Sequence, residues 1–473
     1  MLIAGCAGAA SSGSGSGAGG GGSGGSNGSG GAVGSGGRTS SGTGGTASGG
    51  IVGSGDGSGG SGSGGSGSGG ALGSGGAATG GHSASGGAGP GGTTGPGGSI
   101  GSMSGGASGS AGGSANGGSG GGGAKGGGGM TGSGGGTAGT TGAAGASGDV
   151  RPCDIYQAAG TPCVAAHSTV RALYSAYGGP LYQVRRTSDN TTKDIPASTA
   201  GGFADISVHN SFCGGTKCTI SILYDQSPNH NNLLKSPVAH WLTSGGTEAD
   251  ASQGQITASG HTVHGIYVTG YSTNVAYRNN ATKGVAKGDQ AESMYMVVDG
   301  KRFSDQCCFD YGNAETSGND EGNGTMEAVY FGNDITWGGK GQGNGPWVAG
   351  DLENGVFKSD KGGWQSQSLS VPSAKSIVAS FATAMLKGPS GNHFTLKGGD
   401  AQSGSLITMW DGVRPSPSYS PKALQGAIIL GTGGDGSNGG TGTFFEGAMT
   451  SGNPPDSVDE AIHANIVGAG YGH

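Results

Sequence analysis

Thr219-Ile220-Ser221-Ile222-Leu223-Tyr224 sets apolar residues on alternate positions, the period of a strand with one buried face. Similar short runs recur outward from it, each bounded by Gly, Asn, Ser or Pro. They include Gly265-Ile266-Tyr267-Val268, Met294-Tyr295-Met296-Val297-Val298 and Met326-Glu327-Ala328-Val329-Tyr330-Phe331. Further along come His393-Phe394-Thr395-Leu396, Leu406-Ile407-Thr408-Met409-Trp410, Ala427-Ile428-Ile429-Leu430 and Thr443-Phe444-Phe445. Many strands separated by turn chemistry predict an all-β sandwich or jelly roll. Helical signals are few. Pro162 to Tyr177, with Val164, His167, Val170, Ala172 and Tyr174, predicts one amphipathic helix. Ser457 to Glu460, with capping-box spacing and Val458, Ile462 and Ile466 four apart, predicts another.

The strand-like runs begin only after about Val150. Of the 119 glycines, 70 lie in the first 150 positions, and Arg38, Asp56 and Lys125 are the charged residues before Asp149. Such a stretch buries too little apolar surface to offset the entropy of ordering its backbone. Residues 1–149 are therefore expected to be a disordered Gly/Ser-rich tether, with a reach of about 60–70 Å, and residues 150–473 one large domain. A glycine-rich aggregating segment is the rival reading; the stretch holds no aromatic residue and no fixed period to support it.

The net charge of −7 and the lack of a basic block argue against nucleic acid as a partner. No apolar run reaches the roughly 20 residues of a membrane span. Ile3-Ala4-Gly5-Cys6 reads as a lipobox with Cys6 as the lipidated residue, although no basic or apolar leader precedes it. The expectation is a secreted protein or a bacterial surface lipoprotein, touching membrane only through that anchor, and a monomer.

Six cysteines remain in the folded part: Cys153, Cys163, Cys213, Cys218, Cys307 and Cys308. Their spacing suggests three local pairs, and an even count in an exported chain favours disulfides over metal thiolates. No zinc motif is present, and neither a metal nor a cofactor is expected. Cys307-Cys308 is the unusual pair. Adjacent Cα atoms lie about 3.8 Å apart across a trans peptide, shorter than the usual disulfide range of about 4.4–6.8 Å. A bond there closes little chain, so stability is a poor reason for it and a functional site a better one. Two free buried cysteines are the alternative.

Chemistry is concentrated in Trp347-Val348-Ala349-Gly350-Asp351-Leu352-Glu353-Asn354. Continued as a strand, it places Asp351, Glu353 and Trp347 on one face, and paired carboxylates are what glycoside hydrolysis needs. An exposed acidic face beside a turn is the competing reading. Asp435, in Gly433-Gly434-Asp435-Gly436, is either a second site acid or an ordinary turn residue. Trp337, amid glycines, is either a platform for a sugar ring or a loop anchor, on a loop that cannot easily bury it. Asp225, Asp310 and the pair His261 and His264 read as structural.

Longer motifs unite these fragments. Cys153-Asp154-Ile155-Tyr156, Pro162-Cys163-Val164-Ala165-Ala166-His167-Ser168-Thr169, Tyr224-Asp225-Gln226-Ser227 and Cys307-Cys308-Phe309-Asp310-Tyr311-Gly312-Asn313-Ala314-Glu315-Thr316 resemble the catalytic domain of glycoside hydrolase family 54. So do Asp351-Leu352-Glu353-Asn354, Gly426 to Gly431 and Glu446 to Gly452. The resemblance implies a concanavalin-like β-sandwich that releases terminal α-L-arabinofuranosyl groups with retention, from arabinan, arabinoxylan or their oligosaccharides. It implies Glu353 as nucleophile and Asp435 as acid/base, with carboxyl groups about 5–5.5 Å apart. Asp351, Asn354 and Gly434 fall on sugar-binding positions. Cys307-Cys308 falls on a vicinal disulfide and Trp337 on the aromatic beside it; the other two disulfides fall on Cys153–Cys163 and Cys213–Cys218. The family's usual C-terminal β-trefoil has no counterpart before His473, so small oligosaccharides are expected as substrates. The alternatives are a non-catalytic sugar-binding sandwich and a β-xylosidase on the same residues.

Overall fold

The structure is a computed structural model that describes residues 150–473; the tether and the lipidation expected at Cys6 lie outside the described residues. Those residues form twenty-two strands and three α-helices. Two antiparallel sheets make up most of the fold. In the smaller, the strands run Cys163–Ser168, Thr441–Ser451, Glu292–Asp299, Phe381–Gly388, Phe394–Asp400 and Ile407–Gly412, with Ile266–Thr269 paired onto Thr441–Ser451. The larger runs Val356–Phe357, Trp347–Asp351, Glu327–Gly332, Asp310–Ala314, Ala427–Leu430, Tyr277–Asn279, Leu233–Lys235, Cys218–Leu223, Pro180–Arg186 and Thr192–Pro196. Ala249–Asp250 pairs with Cys218–Leu223 beside that path. This is the β-sandwich expected from the strand pattern.

The sheets approach closely where small residues allow it. A Cβ on Gly350 would lie 2.6 Å from Leu386 Cδ1 of the opposite sheet, so a larger residue there would push the layers apart. Alternation then divides the larger sheet. Val329, Phe331, Val348 and Leu430 point into the main core. Their neighbours Ala314, Ala328, Ala349 and Ala427 belong to clusters on the other face. Small side chains there leave depth above the sheet. That face carries the site.

Two local expectations fail. The segment expected as a helix from Pro162 opens as the strand Cys163–Ser168, and the helix lies earlier, at Pro152–Ala158. Pairing decides it: His167 and Ala166 sit opposite Gly447 and Ala448, and the Ala166 amide donates to Asp225 at 2.7 Å. Because the strand is buried on both faces, its pattern lacks alternation and mimics a helix. The C-terminal helix, Asp456–Gly468, begins after Pro455 and uses no side-chain cap. Asp456 and Asp459 instead accept from Lys387 and Lys397 of the smaller sheet at 2.7–2.9 Å. The unanticipated helix Ile206–Cys213 is capped by Asp205, which accepts from the Ser207 amide at 3.0 Å.

A buried ion pair ties the segment after Cys163–Ser168 to the neighbouring strand Thr441–Ser451. Arg171 reaches Glu446 through two bonds of 2.7 and 2.8 Å, and the Tyr471 hydroxyl donates to the same carboxylate at 2.8 Å. Glu446→Ala would strand a buried guanidinium, a change that costs about 3–5 kcal/mol. Urea unfolding of this variant should show a loss of that size; a loss under about 1 kcal/mol would mean the pair is dispensable.

Candidate active site

Three strands of the larger sheet, two of them separated by Glu327–Gly332, and the loops that follow them assemble the site. Asp310 opens the strand Asp310–Ala314, one residue beyond Cys307-Cys308-Phe309, and Glu315 follows its end. Asp351 closes Trp347–Asp351 on the same face as Ala349, since both share the strand's period of two. The loop after Ala427–Leu430 brings in Gly434 and Asp435. Cys307 and Cys308 are disulfide-bonded, across a cis rather than a trans peptide, with Cα atoms 3.0 Å apart. Cys153–Cys163 and Cys213–Cys218 are also bonded, as the spacing suggested.

The strand does not continue through Glu353. It ends at Asp351, and Glu353 and Asn354 take φ of +67° and +56°. The left-handed region is unfavourable for residues with a Cβ, and two such residues in succession mark a position held by its surroundings. Part of that hold is visible: the Glu353 amide donates to Asp351 Oδ1 at 3.2 Å. Asn354 turns its amide group to Asn323 Oδ1 at 3.0 Å.

The disulfide lies against Asp351, with Cys308 Sγ 3.4 Å and Cys307 Sγ 3.8 Å from Oδ2. Ser437 Oγ lies 3.3 Å from Cys308 Sγ, and the Ser437 amide donates to Asp435 Oδ1 at 2.9 Å. Asp435 Oδ2 is buried and has no hydrogen-bond partner among the described residues. Arg278 donates to the Gly434 carbonyl at 2.6 Å and also to the Glu315 carbonyl. Trp337 is buried rather than presented on an open loop. Its amide donates to Asp334 at 2.9 Å, and its ring packs beside Cys307 and Tyr330. Trp364, half exposed, tilts over it with ring centroids 4.1 Å apart. Tyr271, Cys307, Trp337 and Trp364 are among the residues around a cavity of about 220 Å³.

The structure thus brings Cys307, Cys308, Asp351, Glu353, Gly434 and Asp435 together, with Trp337 beside the disulfide. Sequence reasoning missed Asp310, Glu315 and Arg278. Asp310 reads as structural in the sequence, yet its carboxyl faces that of Asp351 within hydrogen-bonding reach. An acid between Phe309 and Tyr311 in a buried strand is the signal that could have found it. Cys307, Cys308, Asp310 and Asp351 also lie close enough to suggest a metal site. The sulfurs are bonded to each other, however, and have no thiolate to give.

Burial dominates the electrostatics. It raises Glu353 well above the usual carboxylate range, and the charges of Glu315, Asp351 and Asp435 add to the effect. Burial also raises Asp435. Asp351 is pushed up to about 7 by burial, against a hydrogen bond with Asp310 that lowers it. A sandwich with paired buried carboxyls beside a small pocket is the architecture of a β-sandwich glycoside hydrolase catalytic domain.

Residues 152–472 match the family described as "Alpha-L-arabinofuranosidase B, catalytic", and the chain belongs to that family. It is 50% identical over 325 residues to a probable alpha-L-arabinofuranosidase B of Aspergillus fumigatus, an alignment covering 68% of this chain and 62% of that protein. It is 49% identical to an arabinofuranosidase/B-xylosidase of Trichoderma koningii, covering 68% and 63%. A crystal structure of an arabinofuranosidase complexed with arabinofuranosyl-alpha-1,2-xylobiose shares 46% identity at a TM-score of 0.65, covering 68% of this chain and 66% of that one. The chain spans somewhat less than two thirds of the length of the two named relatives.

The raised pKa of Asp351 links the site to stability. Its folded value, about 7, exceeds the ordinary 3.8, so between those values the folded state holds the extra proton. Stability contributed by that proton is lost as pH rises through the interval. Asp351→Asn removes the titration. Its melting temperature should exceed that of the wild type at about pH 7.5 by more than at about pH 4, since each tenfold gain in proton affinity on folding is worth about 1.4 kcal/mol. An equal difference at both pH values would contradict the assignment.

Proposed function

We propose that this domain is a retaining, exo-acting α-L-arabinofuranosidase that releases terminal arabinofuranosyl groups from arabinan, arabinoxylan or their oligosaccharides. The observation that carries the reading is the burial of Glu353 and Asp435 beside the Cys307–Cys308 disulfide, in a chain about half identical to named arabinofuranosidases. Glu353 attacks the anomeric carbon while Asp435 gives its proton to the leaving oxygen. Asp435 then takes a proton from water as that water releases the sugar from Glu353.

The environment supports those roles. Burial raises Asp435, which favours the protonated form a general acid needs at near-neutral pH. Its unpartnered Oδ2 is the atom suited to hold that proton. The Arg278 guanidinium faces Glu315, Asp435 and Glu353, and favours the negative charge on the attacking carboxylate. The disulfide and Trp337 supply an apolar surface for the furanose ring, with Asp351, Asn354 and the Gly434 backbone supplying polar contacts. Three disulfides suit action outside the cell, where such bonds persist. A β-xylosidase activity on the same residues is the second reading, favoured by the double name of the Trichoderma koningii relative.

Hydrolysis of 4-nitrophenyl α-L-arabinofuranoside tests the reading directly. The wild type should turn it over, Glu353→Gln should lower kcat by about 10³-fold or more, and the sugar first released should keep the α configuration. No turnover of this substrate or of arabino-oligosaccharides would exclude the proposal, and comparison with the aryl β-xyloside decides the second reading. Cys307→Ala combined with Cys308→Ala should raise KM or abolish turnover with little change in melting temperature. A large fall in melting temperature with normal kinetics would make the disulfide structural.

A further inference from the structure

Among the described residues, Tyr271 and Trp364 are the two aromatic side chains in the set of exposed large hydrophobic residues, at 52% and 49% exposure. Both border the cavity of about 220 Å³ beside Cys307 and Trp337. Single exposed apolar residues are ordinary on a surface; two open aromatics on one cavity are a feature to explain. Each is held by the backbone around it. Gly363 and Ser366, on either side of Trp364, donate their amides to the carbonyls of Trp337 and Thr336 at 3.0 and 2.9 Å. Trp364 thereby lies over Trp337, with ring centroids 4.1 Å apart. Tyr271 sits in the short helix Gly270–Ser272, and its ring lies against Gly439. A Cβ on Gly439 would come within 2.7 Å of that ring and 2.8 Å of the Cys307 carbonyl. A larger residue there would push the ring off this contact.

These contacts place the cavity relative to the chemistry. Gly439 belongs to the loop that carries Asp435, so Tyr271 stands on the acid's side. Cys307 is bonded to Cys308, whose Sγ lies 3.3 Å from Ser437 Oγ, and the Ser437 amide holds Asp435 Oδ1 at 2.9 Å. A Cβ on Gly433 would meet Cys308 Sγ at 3.2 Å and Asp435 Oδ1 at 3.3 Å, which sets the acid close to the disulfide. Asp351, Glu353, Gly434 and Asp435 are not among the residues that line the cavity. It therefore adjoins the surface given to the furanose ring without being the place where polar groups grip that ring. Its 220 Å³ falls below the roughly 300–1,000 Å³ of pockets that hold drug-sized ligands, and suits one sugar ring. We propose that Tyr271 and Trp364 form the leaving-group subsite. Their rings take the C–H face of the sugar residue to which the arabinofuranose is attached, and Gln306 and Thr336 on the cavity wall serve its hydroxyls. The inference rests on the arabinofuranosidase reading and adds where the rest of the substrate lies. Contacts made there hold the departing oxygen at Asp435, so their binding energy serves the transition state.

Arabinobiose, the α-linked disaccharide, puts a sugar in this subsite, whereas methyl α-L-arabinofuranoside puts only a methyl group there. The ratio of kcat/KM for the disaccharide to that for the methyl glycoside should fall about 10-fold in Trp364→Ala and in Tyr271→Ala. Tyr271→Ala is the variant that leaves the Trp364–Trp337 stack untouched. Equal losses on both substrates in the two variants would mean that the aromatics only support the arabinose pocket. An unchanged ratio at full activity would mean that the cavity takes no sugar; either result overturns the proposal. Calorimetric titration of Glu353→Gln reads binding without turnover. The disaccharide should bind about 10-fold more tightly than the methyl glycoside, and Trp364→Ala added to Glu353→Gln should abolish the difference. Equal affinities in Glu353→Gln alone would overturn the proposal. A wild type inactive on arabinofuranosides would overturn the proposed function, while the titration would still decide whether the cavity takes a sugar.

Discussion

The repulsion among Asp310, Glu315, Asp351, Glu353 and Asp435 is the constraint on which the site depends. All five are buried, and Arg278 is the buried cation that faces Glu315, Glu353 and Asp435. Full ionisation would be prohibitive in so little solvent, so protons must be retained, and where they sit decides the chemistry. The strand Asp310–Ala314 and the residue after it place a second carboxyl beside each of two others: Asp310 beside Asp351, and Glu315 beside Glu353. Each added acid makes its neighbour a member of a proton-sharing pair. A polar site held in this way is ordered by its hydrogen bonds, because no member can turn away without leaving a buried charge alone.

Such a site destabilises the fold, and the surrounding fold has to offset it. The larger sheet does so by burying both faces, one against the smaller sheet and the other beneath the site loops. The smaller sheet adds compensated charge: Glu446 with Arg171, and Asp459 with Lys387 and Lys397. Glu327 meets Arg414 and Lys422 where all three are fully shielded from solvent. These clusters set each acid against cations, whereas the site gathers five acids around Arg278. An excess of buried like charge is what sets the site apart from its surroundings.

Much of the fold is legible in the sequence because half-buried strands carry their period openly. Cys218–Leu223 and Ile266–Thr269 lie where the apolar runs place them. Where both faces are buried the signal is lost, and Cys163–Ser168 reads as a helix for that reason. The site is legible in its parts through long motifs. Its geometry is not. Alternation carries Glu353 onto a strand face, but the chain leaves the strand at Asp351 and turns through two left-handed residues, which no local pattern announces. Asp310 and Glu315 belong to one of the long motifs, yet their pairing with Asp351 and Glu353 depends on strands distant in sequence and separated in the sheet by Glu327–Gly332. The glycine-rich loop around Trp337 suggests exposure; Asp334 accepts the Trp337 amide instead, and the ring sits in a buried cluster with Cys307 and Tyr330.

The outer margin of the larger sheet has a consequence of another kind. Its last strand, Thr192–Pro196, offers Thr192, Lys193 and Asp194 to solvent and ends in a proline. A foreign strand seeking to lengthen the sheet would have to strip water from both charges and meet a backbone nitrogen with no hydrogen to share. A chain so rich in β structure is, at this border, a poor template for its own copies.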